Sequence, residues 1–193
     1  QPKYMAAHST AIGLLLTQGD TKTAAARLDQ MRKLWPKNHP QLLYLDAQVA
    51  VASGDNKRAR DLSQELLKMA PEDLRALQLA GATAFKVGAL LEAERALTKA
   101  LGDDPNLPSA RRLLAQTYLR GGQPAKALSA LQPLLAAGEP DGAALALAAE
   151  AYLQTGDAAR AEEFYARAVK QNPKDARSRA ALALTRMSSS GLQ

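Results

Sequence analysis

Side chains able to do acid, base or metal chemistry are few and scattered. His8 and His39 are the only histidines and stand 31 residues apart. A histidine alone reads as structural or solvent-facing rather than as a base or ligand. Asp103-Asp104 and Glu162-Glu163 are adjacent acids. Sequence neighbours leave a helix on different sides, so they read as caps or solvated charges, not as a carboxylate pair for general acid–base work. No cysteine is present, which removes disulfides and thiolate metal sites. The spacings H-E-x-x-H, G-x-x-x-x-G-K-[ST] and G-x-S-x-G are absent, as is G-x-G-x-x-G after a strand. No catalytic residue, metal or cofactor is expected, and the chain is not expected to be an enzyme. The chemistry left is recognition by arginine forks, side-chain amides and a few rings.

The composition says what kind of element carries those groups. The chain has 193 residues, 47% of them apolar but only 4% aromatic, with alanine supplying much of the rest. Alanine favours close-packed helices over sheet. A net charge of +6 permits an acidic partner. Basic and acidic residues alternate along the chain, however, and no basic stripe with interleaved rings is present, so nucleic acid is not an expected partner. No stretch approaches the roughly 18 apolar residues that span a bilayer. The chain begins at Gln1 and ends in mid-pattern on Ser188-Ser189-Ser190-Gly191. It reads as a processed chain or a fragment of a longer repeat protein, with 188–193 as a flexible tail.

A glycine recurs: Gly19, Gly54, Gly88, Gly122 and Gly156, at spacings of 35, 34, 34 and 34. Five residues after each stands an alanine: Ala24, Ala59, Ala93, Ala127 and Ala161. Pro36, Pro71, Pro105, Pro140 and Pro173 close the units. A period near 34 predicts stacked helical hairpins. In the third unit Leu77, Ala80, Gly81 and Ala84 form one stripe, and Ala93, Ala96, Leu97 and Ala100 form the other. Gly88 ends the first helix, and Asp103-Asp104-Pro105 end the second. Asp20, Asp55 and Asp157 follow their glycines as expected N-caps, and Pro124 suits a first helical turn. Pro133 is expected to kink or restart its helix. Trp35, at a helix end, is expected to cover an apolar seam.

These features resemble the tetratricopeptide repeat family. Its crossing position reads Ile12, Ala47, Gly81, Ala115 and Ala149, and its helix-B alanine is matched five times in five. The family aromatic appears as Tyr118 and Tyr152, and the opening tryptophan is never present. The resemblance implies an all-α fold: a right-handed α-solenoid, one superhelix over 5–187. Its repeats are 5–38, 40–73, 74–107, 108–141 and 142–175, with a capping helix over 176–187. Within the family, "SARRLLAQTYLRGGQPAKALSALQPLL" (Ser109–Leu135, including Pro133) is similar to the tetratricopeptide lipoproteins of bacterial exosortase (PEP-CTERM) systems. "PQLLYLDAQVAVASGDNKRARDL" (Pro40–Leu62) points the same way. That likeness implies a periplasmic or outer-membrane-associated protein of the exopolysaccharide and sorting machinery, the alternative being cytoplasmic. The lipidated cysteine of such proteins is absent here, so any lipid anchor would lie outside this chain.

In the family, the second, fifth, ninth, twelfth and thirteenth positions of each first helix face a concave groove. Carried onto this chain, they imply a partner-binding groove built on Tyr44, Gln48, Arg75, Gln78, Phe85, Lys86, Arg112, Gln116, Arg120 and Glu150. Phe85 and Leu119 have the competing reading of packing between units. The fifth and ninth positions read Ser9/Gly13, Tyr44/Gln48, Gln78/Ala82, Arg112/Gln116 and Ala146/Glu150. None is the Lys–Asn pair of the co-chaperone carboxylate clamp. The expected function is a scaffold holding a protein or peptide. A polysaccharide-binding chaperone and a structural spacer in a longer array are the alternatives.

Overall fold

The computed structural model describes residues 2–136 and 140–190, with the side chains of 4–136 and 140–188. Every regular element among them is an α-helix. The chain packs as two compact units, Gln1–Asp103 and Asp104–Gln193. The first unit holds three hairpins: α1 (Pro2–Thr17) with α2 (Thr21–Leu34), α3 (Pro40–Ala52) with α4 (Asn56–Met69), and α5 (Leu74–Lys86) with α6 (Leu90–Asp103). The second holds α7 (Pro108–Arg120) with α8 (Pro124–Leu135), α9 (Gly142–Gln154) with α10 (Ala158–Gln171), and then α11 (Ala176–Ser190). Ser188, Ser189 and Ser190 thus continue α11 rather than opening the expected tail, and 191–193 lie outside the described residues.

The hairpin turns are five copies of one device. Gly19, Gly54, Gly88, Gly122 and Gly156 take φ of 79°, 80°, 79°, 67° and 82°. A Cβ at Gly19, Gly54, Gly122 or Gly156 would meet nothing within 4 Å, so at those four the dihedral and not crowding requires glycine. After each glycine the next N–H donates five residues back: Asp20 to Leu15, Asp55 to Ala50, Ala89 to Ala84, Gln123 to Tyr118 and Asp157 to Tyr152. These bonds satisfy carbonyls that a helix end would otherwise orphan. Asp20, Asp55 and Asp157 then cap the second helices, accepting from the N–H of Thr23, Arg58 and Arg160. Pro124 opens α8 as expected.

Pro133 does not restart its helix. It lies inside α8, which runs unbroken to Leu135 and at 12 residues is two shorter than the other second helices. In the last turn a missing N–H costs one bond next to carbonyls that are unpaired anyway, so the helix ends just beyond the proline.

Small residues set the helix spacing. Ala24, Ala59, Ala93, Ala127 and Ala161 are fully buried, as are Ile12, Ala47, Ala115 and Ala149 at the crossings. At the third crossing position a Cβ on Gly81 would stand 2.6 Å from Leu97 Cγ, so glycine is what lets Leu97 in. Both predicted stripes of the third hairpin are buried. Within each unit the first helices lie side by side, α1 on α3 and α3 on α5 in one, α7 on α9 in the other. Trp35 packs against the buried cluster that includes Ile12, Leu28 and Met31, edge-on to His8 at 6.2 Å. His39 Nδ1 accepts the Gln41 N–H at 3.2 Å and caps α3. His39 therefore serves the fold, while the buried Nδ1 of His8 has no hydrogen-bond partner among the described residues.

Candidate functional site

In the first unit the wall of first helices gathers three predicted groove residues. Tyr44 and Gln48, one turn apart on α3, share a hydrogen bond in which Gln48 Nε2 donates to the Tyr44 hydroxyl at 3.2 Å. The Arg75 guanidinium, from the start of α5, lies 5.4 Å from the centre of the Tyr44 ring. Its nearest acid is Asp73, at 3.8 Å from Nε, and its side chain stays 64% exposed. Asp73 is committed to the Ala76 N–H at 2.9 Å, capping α5. The result is a ring held by an amide at its hydroxyl and by a cation on its face, with guanidinium donors still turned to solvent. Gln78 is directed elsewhere, donating to Leu74 O of its own helix at 3.2 Å. Phe85 is half-buried and Lys86 exposed in the last turn of α5.

The second unit arranges its wall differently. Arg112 is bound to Asp141 and donates to Ser109 Oγ at 3.3 Å. Asp141 also accepts the Ala144 N–H at 2.7 Å, capping α9. Arg112 is therefore committed to joining α7 to the start of α9, and its side chain is 29% exposed. Arg120 is exposed at the end of α7, and Leu119 packs into the core cluster with Ala115 and Leu131. Gln116 and Glu150 line one pocket of about 280 Å³, whose floor includes Ala143, Ala146 and Ala181.

Sequence reasoning missed the rest of that pocket. Tyr165 of α10 lines it, only 7% exposed, with Asp175, Arg177 and Ser178 at the start of α11. Burial first, then the Glu150 charge, pushes the Tyr165 hydroxyl above the usual phenol range. Asp175 accepts the Arg177 N–H at 3.1 Å and the Ser178 hydroxyl. The Ser178 bond leads in holding its carboxyl below the usual range. A signal for Tyr165 was present: its repeat position reads Leu28, Ser63, Leu97, Leu131 and Tyr165, so a phenol stands where a leucine usually closes the core.

Two further pockets lie in the first unit, lined by residues of both first and second helices. One, of about 270 Å³, contains Arg60, Gln64 and Glu92, with Arg60 and Gln64 both donating to Glu92. The other, of about 430 Å³, contains Arg32, Asp46 and Arg58, with both arginines on Asp46. These charges are paired with one another across α2, α3, α4 and α6. Among the described residues no group of three His, Cys, Asp or Glu is placed to hold a metal, and no helix is long and apolar enough to cross a membrane.

Residues 44–108 and 112–176, together more than half of the chain, match the Tetratricopeptide repeat family. The chain belongs to the tetratricopeptide repeat family. Solved structures show the same fold. TTC0263, a thermophilic TPR protein of Thermus thermophilus, superposes with a TM-score of 0.74 at 21% identity, covering 95% of this chain and 99% of that one. YrrB, a TPR protein with an unusual peptide-binding site, gives 0.73 at 20%, covering 90% and 89%. MamA (41-end) of Desulfovibrio magneticus RS-1 gives 0.75 at 20%, covering 89% and 97%. No curated protein sequence matches the chain. At such identities the likeness carries the tetratricopeptide α-solenoid fold class and nothing about ligands.

Proposed function

We propose that this tetratricopeptide protein is an interaction scaffold that holds an extended peptide or protein segment against its first helices. The Tyr44–Gln48–Arg75 cluster carries the reading. An aromatic anchor already fixed by an amide and a cation loses little side-chain freedom on binding. The exposed guanidinium can donate to peptide carbonyls or a carboxylate. Aromatic and arginine side chains are also the types that dominate binding energy at interfaces. The family uses its first helices in this way, and one structural neighbour is named for its peptide-binding site.

The setting we propose is the bacterial envelope, in exopolysaccharide export and PEP-CTERM sorting. Its support is the sequence likeness of Ser109–Leu135 and Pro40–Leu62. Fractionation of the native full-length protein tests it: recovery in the envelope fraction is expected, and recovery in the cytosol counts against it.

For binding, the chain is presented to an array of peptides and of exopolysaccharide fragments. Tyr44→Ala with Arg75→Ala is expected to weaken peptide binding about tenfold or more with helicity unchanged. Unaltered peptide affinity removes the cluster from the site. Binding to glycans and to no peptide overturns the scaffold reading.

A further inference from the structure

The pocket in the second unit has a chemistry of its own. Among the described residues Glu150 makes no ion pair and accepts no hydrogen bond. Tyr165 is more than nine-tenths buried and lines the pocket, and its hydroxyl makes no hydrogen bond with the described residues. The phenol oxygen is not sealed from solvent, so it stands available to an N–H donor that enters the pocket. Asp175 does not compete for that ligand. Its oxygens serve the Arg177 N–H and the Ser178 hydroxyl, and the Arg177 charge lies beside it. With Asp175 and Arg177 offsetting each other, the Glu150 carboxylate leaves the pocket negative.

We infer that this pocket takes the lysine or arginine side chain of a bound peptide. The ammonium or guanidinium pairs with the Glu150 carboxylate and donates to the Tyr165 hydroxyl oxygen and the Gln116 side-chain carbonyl. Several acceptors thus face a cation that carries several N–H donors. The alkyl stem lies on Ala143, Ala146 and Ala181, whose small side chains leave the space for it. Charged heads commonly reach polar groups while their stems cover apolar surface. An acidic residue would be repelled by Glu150, and an apolar one would leave the phenol and carboxylate without partners. This inference rests on the reading of the first helices as a peptide-binding wall, and adds the residue type that wall selects in the second unit.

The test uses the full 193-residue chain and a phage-displayed library of unstructured peptides. Peptides selected on the unaltered protein are expected to share a lysine or arginine at one position. Replacing that residue by norleucine is expected to weaken binding about tenfold, and to make no difference against Glu150→Gln. Tyr165→Phe is expected to lose about two- to fivefold at unchanged helicity, since one hydrogen bond to a charged group is removed. Selected peptides with no shared basic residue overturn the pocket assignment while leaving the scaffold reading intact. So does a norleucine penalty that persists in Glu150→Gln. Failure of every peptide to bind the unaltered protein overturns both.

Discussion

The fifth residue of a first helix meets different company in the two units. In the first unit it is Tyr44 on α3, and the Arg75 guanidinium of α5 lies over its ring. In the second it is Arg112 on α7, and it is bound to Asp141, the N-cap of α9. Both contacts join one first helix to the next. One leaves an arginine exposed to a ligand, and the other commits an arginine to the helix end. The repeat therefore dictates which positions meet, while the residue types meeting there decide whether a charged group remains for a partner. In the second unit Glu150 is a carboxylate on that wall with no ion pair among the described residues.

The largest effects bear on the shared frame. Leu97 and Leu131 occupy the same repeat position and are fully buried, so Leu97→Ala and Leu131→Ala are each expected to cost about 2–5 kcal/mol in denaturant unfolding. The two then diverge. Opposite Leu97 stands Gly81, where a Cβ would collide, whereas Leu131 already faces Ala115. Gly81→Ala alone is expected to cost up to about 2 kcal/mol after its gain in helix propensity. Added to Leu97→Ala it is expected to restore about 1 kcal/mol, because the clash is gone and the propensity gain remains. A penalty for Gly81→Ala as large in the Leu97→Ala background as alone shows that Leu97 is not what excludes the methyl.

A smaller effect separates the two capping aspartates. Asp73→Ala and Asp141→Ala each remove a helix cap, worth about 1 kcal/mol. Asp141→Ala also releases Arg112 into the second unit's wall, whereas Asp73→Ala leaves Arg75 on its ring. Peptide affinity is expected to change for Asp141→Ala and to stay nearly constant for Asp73→Ala. Equal changes dissolve the distinction between an exposed and a committed arginine.

The smallest effect is a titration. The Tyr165 hydroxyl is held above the ordinary phenol value by burial and, second, by Glu150. A raised folded value favours the neutral phenol, so this group's stabilisation is present below the ordinary value near 10 and is lost as pH rises through the folded one. Absorbance titration near 295 nm is expected to find one late tyrosine, absent in Tyr165→Phe. Glu150→Gln is expected to bring it only part of the way down, since burial is the leading cause. No movement at all separates Glu150 from the phenol.

Legibility differed by the kind of constraint. The turn glycines, the helix-B alanines and three aspartate caps were readable because each answers to local backbone geometry, repeated in every unit. The restart considered at Pro133 does not occur, because a proline's cost depends on where the helix ends, which a propensity argument does not supply. Tyr44 and Arg75 were both named from their register, but their stacking was not. Gln78 sits at an equally good register and is directed back to its own helix. Tyr165 sits at a position that reads as core, and it is nearly buried while still lining the pocket.

The period, the positive-φ glycines and the alanine stripe determined by themselves that this chain folds into helical hairpins of the tetratricopeptide kind, because each rule acts within a few residues or repeats at a fixed spacing. Tertiary structure alone decided which polar side chains were consumed by the fold and which kept unused hydrogen-bonding capacity. Arg112 is paired with a carboxylate on the next hairpin, while Glu150 makes no ion pair and the Tyr165 hydroxyl no hydrogen bond among the described residues. Such pairing depends on side chains brought together from different helices, and their separation along the chain has no period to read.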